Sequence, residues 1–164
     1  MELDLIEYDL DKDTKVALEQ AIGNFMLKSQ AKLVVLTDDG GRILAYQANP
    51  KTEDYQTEFA ASIMSGMFLA AMEMSKMLKM EEPDLLQFEG KSMDVIVKYI
   101  KPRFLLGILV GKSVSIGTVR LFLRELAQNL ESVLANIKKV PIKTVKIDAA
   151  TLEEKLSKII GGML

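Results

Sequence analysis

Residues 33–46 read LVVLTDDGGRILAY, which is two apolar, β-rich runs separated by an acidic, glycine-containing turn. Glycine supplies the positive φ that tight hairpin turns require, so this stretch predicts two strands of one antiparallel pair. Asp38 and Asp39 could in principle contribute to a magnesium site, but an acidic pair beside Gly40 and Gly41 is typical of turn chemistry. The spacing therefore predicts a β-hairpin, and we expect no metal ion there.

On either side of this hairpin the chain alternates between helical and strand patterns. Apolar residues at three- and four-residue spacing predict helices, and short alternating runs predict strands. The predicted elements are a helix at residues 13–29 with Asp13 as its N-cap, the hairpin, a helix at 55–80, strands at 85–89, 93–100 and 104–110, and a helix at 117–138. Strands joined by tight turns cannot be parallel neighbours. The order helix-β-β-helix-β-β-β-helix therefore predicts an α+β fold with a mostly antiparallel sheet flanked by helices.

Composition excludes much of familiar enzymology. The 164 residues amount to one domain, and 49% hydrophobic and 27% charged residues are ordinary for a globular protein. The chain has no cysteine and no histidine, which excludes disulfides, zinc fingers and nucleophiles activated by histidine. We therefore expect no enzyme activity, no catalytic residue, no metal and no cofactor.

The charge pattern narrows the class of partner. The net charge is −2, from 21 basic and 23 acidic residues that are spread along the chain, so nucleic acid is not an expected partner. The longest uncharged run, residues 59–72, is shorter than the ~20 residues of a bilayer helix, so no stable membrane insertion is expected. The first residues are acidic and carry no apolar run, which favours a cytoplasmic protein over a secreted one.

The helix at residues 55–80 is apolar around more of its circumference than one sheet can cover. On a helical wheel the polar wedge contains Glu58, Ser62, Ser65, Glu73 and Lys76. One apolar sector contains Phe59, Ile63, Met67, Ala70, Met74 and Leu78. The other contains Ala61, Met64, Phe68, Ala71 and Met72. A helix on a single sheet needs an apolar stripe only somewhat wider than about 100°, and this one spans roughly twice that.

Two interpretations account for the additional apolar surface. The helix is either sandwiched between its sheet and another helix of its own chain, or its second face meets another chain. We favour the second, with another copy of the chain as the simplest partner. Six of the ten methionines lie in this segment, and methionine suits surfaces that adapt to a partner.

The same residues resemble a known family. The stretches AKLVVLTDDGGRILA at residues 31–45, FLLGILV at 104–110 and IGTVRL at 116–121, with the Ala-rich central helix between them, follow the pattern of the Roadblock family in order. Its members are dynein-light-chain-related domains that also occur as prokaryotic partners of Ras-like GTPases. The resemblance covers about residues 12–138. It implies a three-layer, profilin-like or Roadblock-like domain with a five-stranded antiparallel sheet.

The resemblance also implies a homodimer formed through the central helix and the neighbouring strand. The candidate interface residues are Ala61, Met64, Phe68, Ala71 and Met72 of the helix, and Leu86 and Phe88 of the strand. The substitution Phe68→Glu would then place a charge in a desolvated interface and is expected to dissociate the dimer.

The function implied is that of a homodimeric regulator and binding platform for a small Ras-like GTPase, which modulates the nucleotide cycle of that GTPase. The alternative is a non-catalytic scaffold subunit of a signalling or motility complex, without effect on GTP turnover. Arg120 and Arg124 lie one turn apart on the exposed side of the last helix and are the candidate GTPase contacts, although solvated charge also explains them.

The chain extends past the family pattern. We therefore divide it into a Roadblock-like domain at residues 1–138 and a basic extension at 139–164 with a short amphipathic helix. The extension could dock on its own domain, on a partner or on a membrane surface.

Overall fold

The computed structural model describes residues 6–51, 56–141 and 149–163. The chain divides into two compact units, Leu10–Ile137 and a smaller unit of Met1–Asp9 with Lys138–Leu164. The elements in chain order are β1 (Ile6–Asp9), α1 (Lys12–Ser29), β2 (Leu33–Asp38), β3 (Ile43–Ala48), α2 (Thr57–Met77), β4 (Leu85–Glu89), β5 (Met93–Ile100), β6 (Phe104–Gly111), α3 (Ile116–Leu134), β7 (Lys138–Pro141) and α4 (Ala149–Met163).

The larger unit is built on one antiparallel sheet of five strands in the spatial order β3-β2-β6-β5-β4. One row of partners shows the register: Val35 pairs with Gly107, and Gly107 pairs with Val97. Leu86 of β4 continues the row beside Val97. The short turns between β2 and β3 and between β4, β5 and β6 force these neighbours to run antiparallel. The α+β class and the five-stranded sheet are confirmed.

Helices cover both faces of this sheet. On one face α2 contacts β2 and β6. On the other face α1 and α3 pack against each other, with α1 in contact with β2 and β3 and α3 in contact with β5. Successive side chains of a strand point to opposite faces, so Val35 lies on the α2 side and Val34 on the side of α1 and α3. The core on the α1 and α3 side includes the fully buried side chains of Leu18, Ile22, Val34, Leu36, Ile96, Leu106, Ile108, Leu130 and Leu134.

Helix α2 ends at Met77 and not at residue 80, and two further helix ends differ from the sequence expectation. The N-cap of α1 is Asp11, whose carboxylate accepts a hydrogen bond from the backbone N–H of Thr14 at 2.7 Å, so Asp13 lies in the first turn. Helix α3 ends at Leu134 and not near residue 138, because residues 138–141 form strand β7.

The smaller unit joins both ends of the chain. Strand β1 pairs with β7 in antiparallel register, with Asp9 opposite Lys138 and Tyr8 opposite Lys139. Sequence patterning did not predict β1. Because β1 pairs with β7, the N-terminal segment groups with the C-terminal extension. In α4, the apolar residues Leu156, Ile159 and Ile160 are exposed. Tyr55, at the predicted start of the central helix, and residues 142–148 of the extension lie outside the described residues.

Candidate functional site: the two faces of helix α2

The inner face of α2 packs on its own sheet. Ala61, Met64 and Phe68 are 0%, 7% and 2% exposed, and they form one buried cluster with Val35, Val97 and Leu105. Gly107 allows this close approach, because a Cβ at this position would lie only 2.4 Å from the Met64 sulfur. The prediction that Ala61, Met64 and Phe68 face a second copy is therefore wrong. Their own chain covers them.

The four other predicted interface residues are partly accessible. Ala71 and Met72 of α2 and Leu86 of β4 are half-buried, and Met72 and Leu86 pack against the same cluster. Phe88 of β4 is exposed. Their contact with a second copy stays a prediction.

The opposite face of α2 is apolar and, apart from the half-buried Met67, exposed. We call it the outer stripe, and it comprises Phe59, Ile63, Met67, Ala70, Met74 and Met77. Phe59 is 68% exposed, Ile63 is 62% exposed and Met77 is 84% exposed. Steps of three and four residues place all six on one side of the helix. Most of this stripe is the first of the two apolar sectors of the helical wheel. Sequence periodicity therefore detected this surface, but the interface residues of α2 were predicted on the other sector, which includes Ala61, Met64 and Phe68.

An apolar groove lies beside the outer stripe. It has a volume of about 560 Å³ and runs between α2 and the sheet, with Phe59, Ile63 and Met67 on one wall and Phe88 and Val95 on the other. The stripe, the groove and the exposed Phe88 form one continuous apolar surface. A contiguous apolar surface of this kind marks a site of association in soluble proteins.

The β2–β3 turn fixes the position of α2. The Asp38 carboxylate accepts hydrogen bonds from the backbone N–H groups of Gly40 at 3.0 Å and Arg42 at 2.9 Å, as turn chemistry requires. The hydroxyl of Ser65 donates to the carbonyl of Asp39, and the Asp39 side chain is paired with Arg103 at 2.8 Å. The acidic pair thus organises the turn, and the turn anchors the helix.

The two candidate arginines lie on the other face of the sheet, where α3 borders β4. Nη2 of Arg120 donates to Oε1 of Gln87 at 2.7 Å, which ties α3 to the edge strand. Arg124 is exposed one turn further on, and the structure gives its guanidinium no ion pair within the described residues. Both line a cleft of about 370 Å³ with Lys98, whose ammonium is paired with Asp84.

Comparison with known proteins places this geometry in a family. A protein of Aquifex aeolicus (strain VF5), described as an uncharacterized protein, is 38% identical over 163 residues, which make up 99% of this chain and 100% of that protein. The chain belongs to the same family as that protein. No protein-family model matches the chain.

Solved structures give the fold. Myxococcus xanthus MglB has a TM-score of 0.70 at 21% identity, over 76% of this chain and 98% of MglB. A Roadblock/LC7 domain from Streptomyces avermitilis has a TM-score of 0.64 at 12% identity, over 71% of this chain and 97% of that domain. The chain has the Roadblock-family fold.

The Roadblock-fold unit offers two surfaces for binding, the apolar surface of α2 and the cleft beside Arg120 and Arg124. Nowhere in residues 6–51, 56–141 or 149–163 do three acidic, cysteine or histidine side chains converge in a way that could hold a metal ion. None of the described helices is both long enough and apolar enough to span a bilayer. The geometry thus provides an apolar surface along α2 and a cleft of mixed charge, in which Arg120, Arg124 and Lys98 lie with Asp84 and Glu131.

Proposed function

We propose that this chain is a homodimeric regulator of a small Ras-like GTPase in the cytoplasm, and that it modulates the nucleotide cycle of that GTPase. The Roadblock fold supports a GTPase partner, since the family resemblance implies one. The observation that carries the proposal is the uncovered outer stripe of α2, because it provides the surface that a regulatory dimer of this fold needs.

The outer stripe supports the homodimer in particular. Apolar side chains at i, i+4, i+7 spacing form the seam along which two helices pack. Ala70 lies midway along the stripe, and its small side chain permits two helices to approach closely. In this proposal the outer stripes of two copies face each other, and Ala71, Met72, Leu86 and Phe88 lie at the border of the contact.

The arginine cleft supports a separate site for the GTPase. It lies on the face of the sheet opposite α2, so a dimer formed through α2 leaves it accessible. The Arg120 guanidinium donates to Gln87, whereas that of Arg124 can donate two parallel hydrogen bonds to a carboxylate. We assign Arg124 the direct contact with an acidic side chain of the GTPase and Arg120 a positioning role.

The test mixes the chain with a small Ras-like GTPase from the same organism. Light scattering measures the mass of the free chain and of the mixture, and GTP hydrolysis and GDP release are measured with and without the chain. We expect a dimer, co-elution and a change of at least tenfold in one of the two rates. The absence of both co-elution and a rate change would contradict the proposal. Binding without a rate change would favour the scaffold alternative.

A matched pair of variants tests the contact site. Arg124→Gln is expected to weaken GTPase binding at least fivefold. Lys15→Gln, an exposed cation on α1, is expected to leave binding unchanged. Equal effects of the two substitutions would show a general charge effect and would argue against the cleft.

A further inference from the structure

The methionines of this chain are distributed unevenly between its interior and its surface. Among the methionines whose side chains are described, Met74, Met77 and Met80 are exposed. Met64, on the inner face of α2, is buried in the cluster between α2 and the sheet, and Met72 is half-buried against that cluster. Met74 and Met77 lie on the outer stripe, whereas Met80 follows the end of α2 and lies off the stripe.

These thioethers are the groups that a mild two-electron oxidant would modify. The chain has no cysteine, so no thiol competes for the oxidant. Among methionines, reactivity follows exposure, which places Met77 at 84% and Met74 at 55% far ahead of Met64 at 7%. Oxidation would therefore begin on α2 and its C-terminal end and leave the core intact.

We propose that Met74 and Met77 are a reversible oxidation site that disables the outer stripe as a dimer surface; this inference rests on the proposed homodimer. In the reaction, the methionine sulfur attacks one oxygen of a peroxide, the O–O bond breaks and an S=O bond forms. The sulfur loses two electrons, and the remaining oxygen of hydrogen peroxide leaves as water.

The consequence follows from the polarity of the product. A sulfoxide is a polar hydrogen-bond acceptor on a side chain that was apolar, and burying it without a donor is unfavourable. The outer stripe has no cationic or amide side chain of its own to donate such a bond, because its six members are all apolar. Two sulfoxides within one helical turn of each other therefore oppose association of the stripe with any apolar partner surface.

The route of oxidation follows from the monomer–dimer equilibrium. In the dimer the stripe would be covered, so the peroxide reacts with the free subunit, and oxidised subunits are withdrawn from the equilibrium. Met74 and Met77 should therefore be oxidised faster when the protein concentration is low. The rate of oxidation at Met80 should not depend on protein concentration.

The test treats the full chain with hydrogen peroxide and compares it with the variants Met74→Leu/Met77→Leu and Met80→Leu. Leucine conserves the volume and apolarity of methionine but does not oxidise. Peptide mass spectrometry locates the added oxygen atoms, and analytical ultracentrifugation measures the dimer dissociation constant. Methionine sulfoxide reductases acting on the treated protein test reversibility.

We expect the dissociation constant of the treated wild-type chain to rise at least tenfold and to recover after reduction. The dissociation constant of the Met74→Leu/Met77→Leu variant should change less than twofold on treatment, although its Met80 is oxidised. The dissociation constant of Met80→Leu should rise as that of the wild type does. A dimer that is unchanged while both Met74 and Met77 carry sulfoxide would overturn the inference, as would oxidation of Met64 before them. An untreated chain that is already monomeric would refute the proposed dimer itself, and this result is seen before peroxide is added.

Discussion

The ring of Phe68 stacks on the ring of Tyr99, with centroids 5.8 Å apart and planes inclined by 13°. Phe68 comes from the inner face of α2 and Tyr99 from β5, so the pair joins the helix to the sheet. Aromatic pairs of this kind add to the stabilisation that burial of their apolar area provides. The contact makes Phe68 a core residue of its own subunit.

Substitution of Phe68 should therefore affect folding and not association. We expect Phe68→Ala to lower the free energy of unfolding by about 3–5 kcal/mol, as for large aromatic residues truncated in a core. Phe68→Glu, which would bury an unpaired charge, should unfold the chain. Urea unfolding followed by circular dichroism measures both. A folded, monomeric Phe68→Glu variant with unchanged stability would instead support the interface originally predicted for this residue.

Tyr99 should make stability fall at alkaline pH. Burial raises the pKa of its hydroxyl above the ordinary value of about 10, the carboxylates of Asp39 and Glu82 raise it further, and Arg103 partly opposes them. Between the unfolded and folded pKa values the unfolded chain has lost this proton and the folded chain keeps it. The free energy of unfolding therefore decreases as pH rises through that window and is unaffected by Tyr99 below it.

Tyr99→Phe is the matched variant for this effect. It removes the ionisable hydroxyl and the hydrogen bond that this hydroxyl donates to the carbonyl of Pro102, which should cost about 1 kcal/mol at neutral pH. Above about pH 10 the difference in the free energy of unfolding between the two proteins should become smaller, because only the wild type loses stability through the Tyr99 hydroxyl. Lys112, whose pKa is raised by its hydrogen bond to Asp94, titrates in both proteins and cancels in the comparison. A difference that stays constant with pH would contradict the assignment.

Substitution of Gly41 by alanine should lower the stability of the chain, whereas substitution of Gly66 by alanine should raise it. Gly41 has a φ of +86°, and a Cβ there would lie 3.1 Å from Cα of Ser62 and 3.2 Å from the carbonyl oxygen of Ala61. Gly41→Ala should therefore destabilise the chain by about 1–3 kcal/mol. Gly66 lies within α2 with open space around it, so Gly66→Ala should stabilise by about 0.5–1 kcal/mol. Thermal unfolding at one protein concentration compares them, and loss of stability in Gly66→Ala would show that the position is crowded.

Most of the fold was predictable because its signals are local. Strands β4 and β5 have the predicted bounds, since alternation and flanking turns define them within a few residues. Strand β1 was missed because its partner β7 lies more than a hundred residues away along the chain. A four-residue strand of this kind carries no recognisable pattern of its own.

The orientation of α2 could not be read from periodicity. A helical wheel gives the angle between two apolar sectors, but not which of them meets the sheet. Ser65 was assigned to the polar wedge, whereas it is buried on the inner face, where its hydroxyl donates to the carbonyl of Asp39. Ser75 is buried in the same way, with its hydroxyl donating to the carbonyl of Ala71 at 2.9 Å. Backbone acceptors make these serines compatible with burial, and sequence patterning cannot anticipate them.

Ile63 is the position at which association can be separated from folding. It is 62% exposed on the outer stripe, so Ile63→Glu leaves the core cluster untouched and should change the stability of the subunit by less than about 0.5 kcal/mol. In the proposed dimer the same carboxylate would be desolvated against the apolar stripe of a second copy. We therefore expect the dissociation constant to rise at least a hundredfold. Leu121→Glu is the control, since Leu121 is equally exposed at 62% but lies on α3. Analytical ultracentrifugation measures both variants; if Ile63→Glu dimerises as the wild type does, or if Leu121→Glu dissociates as readily, the dimer does not form through the outer stripe.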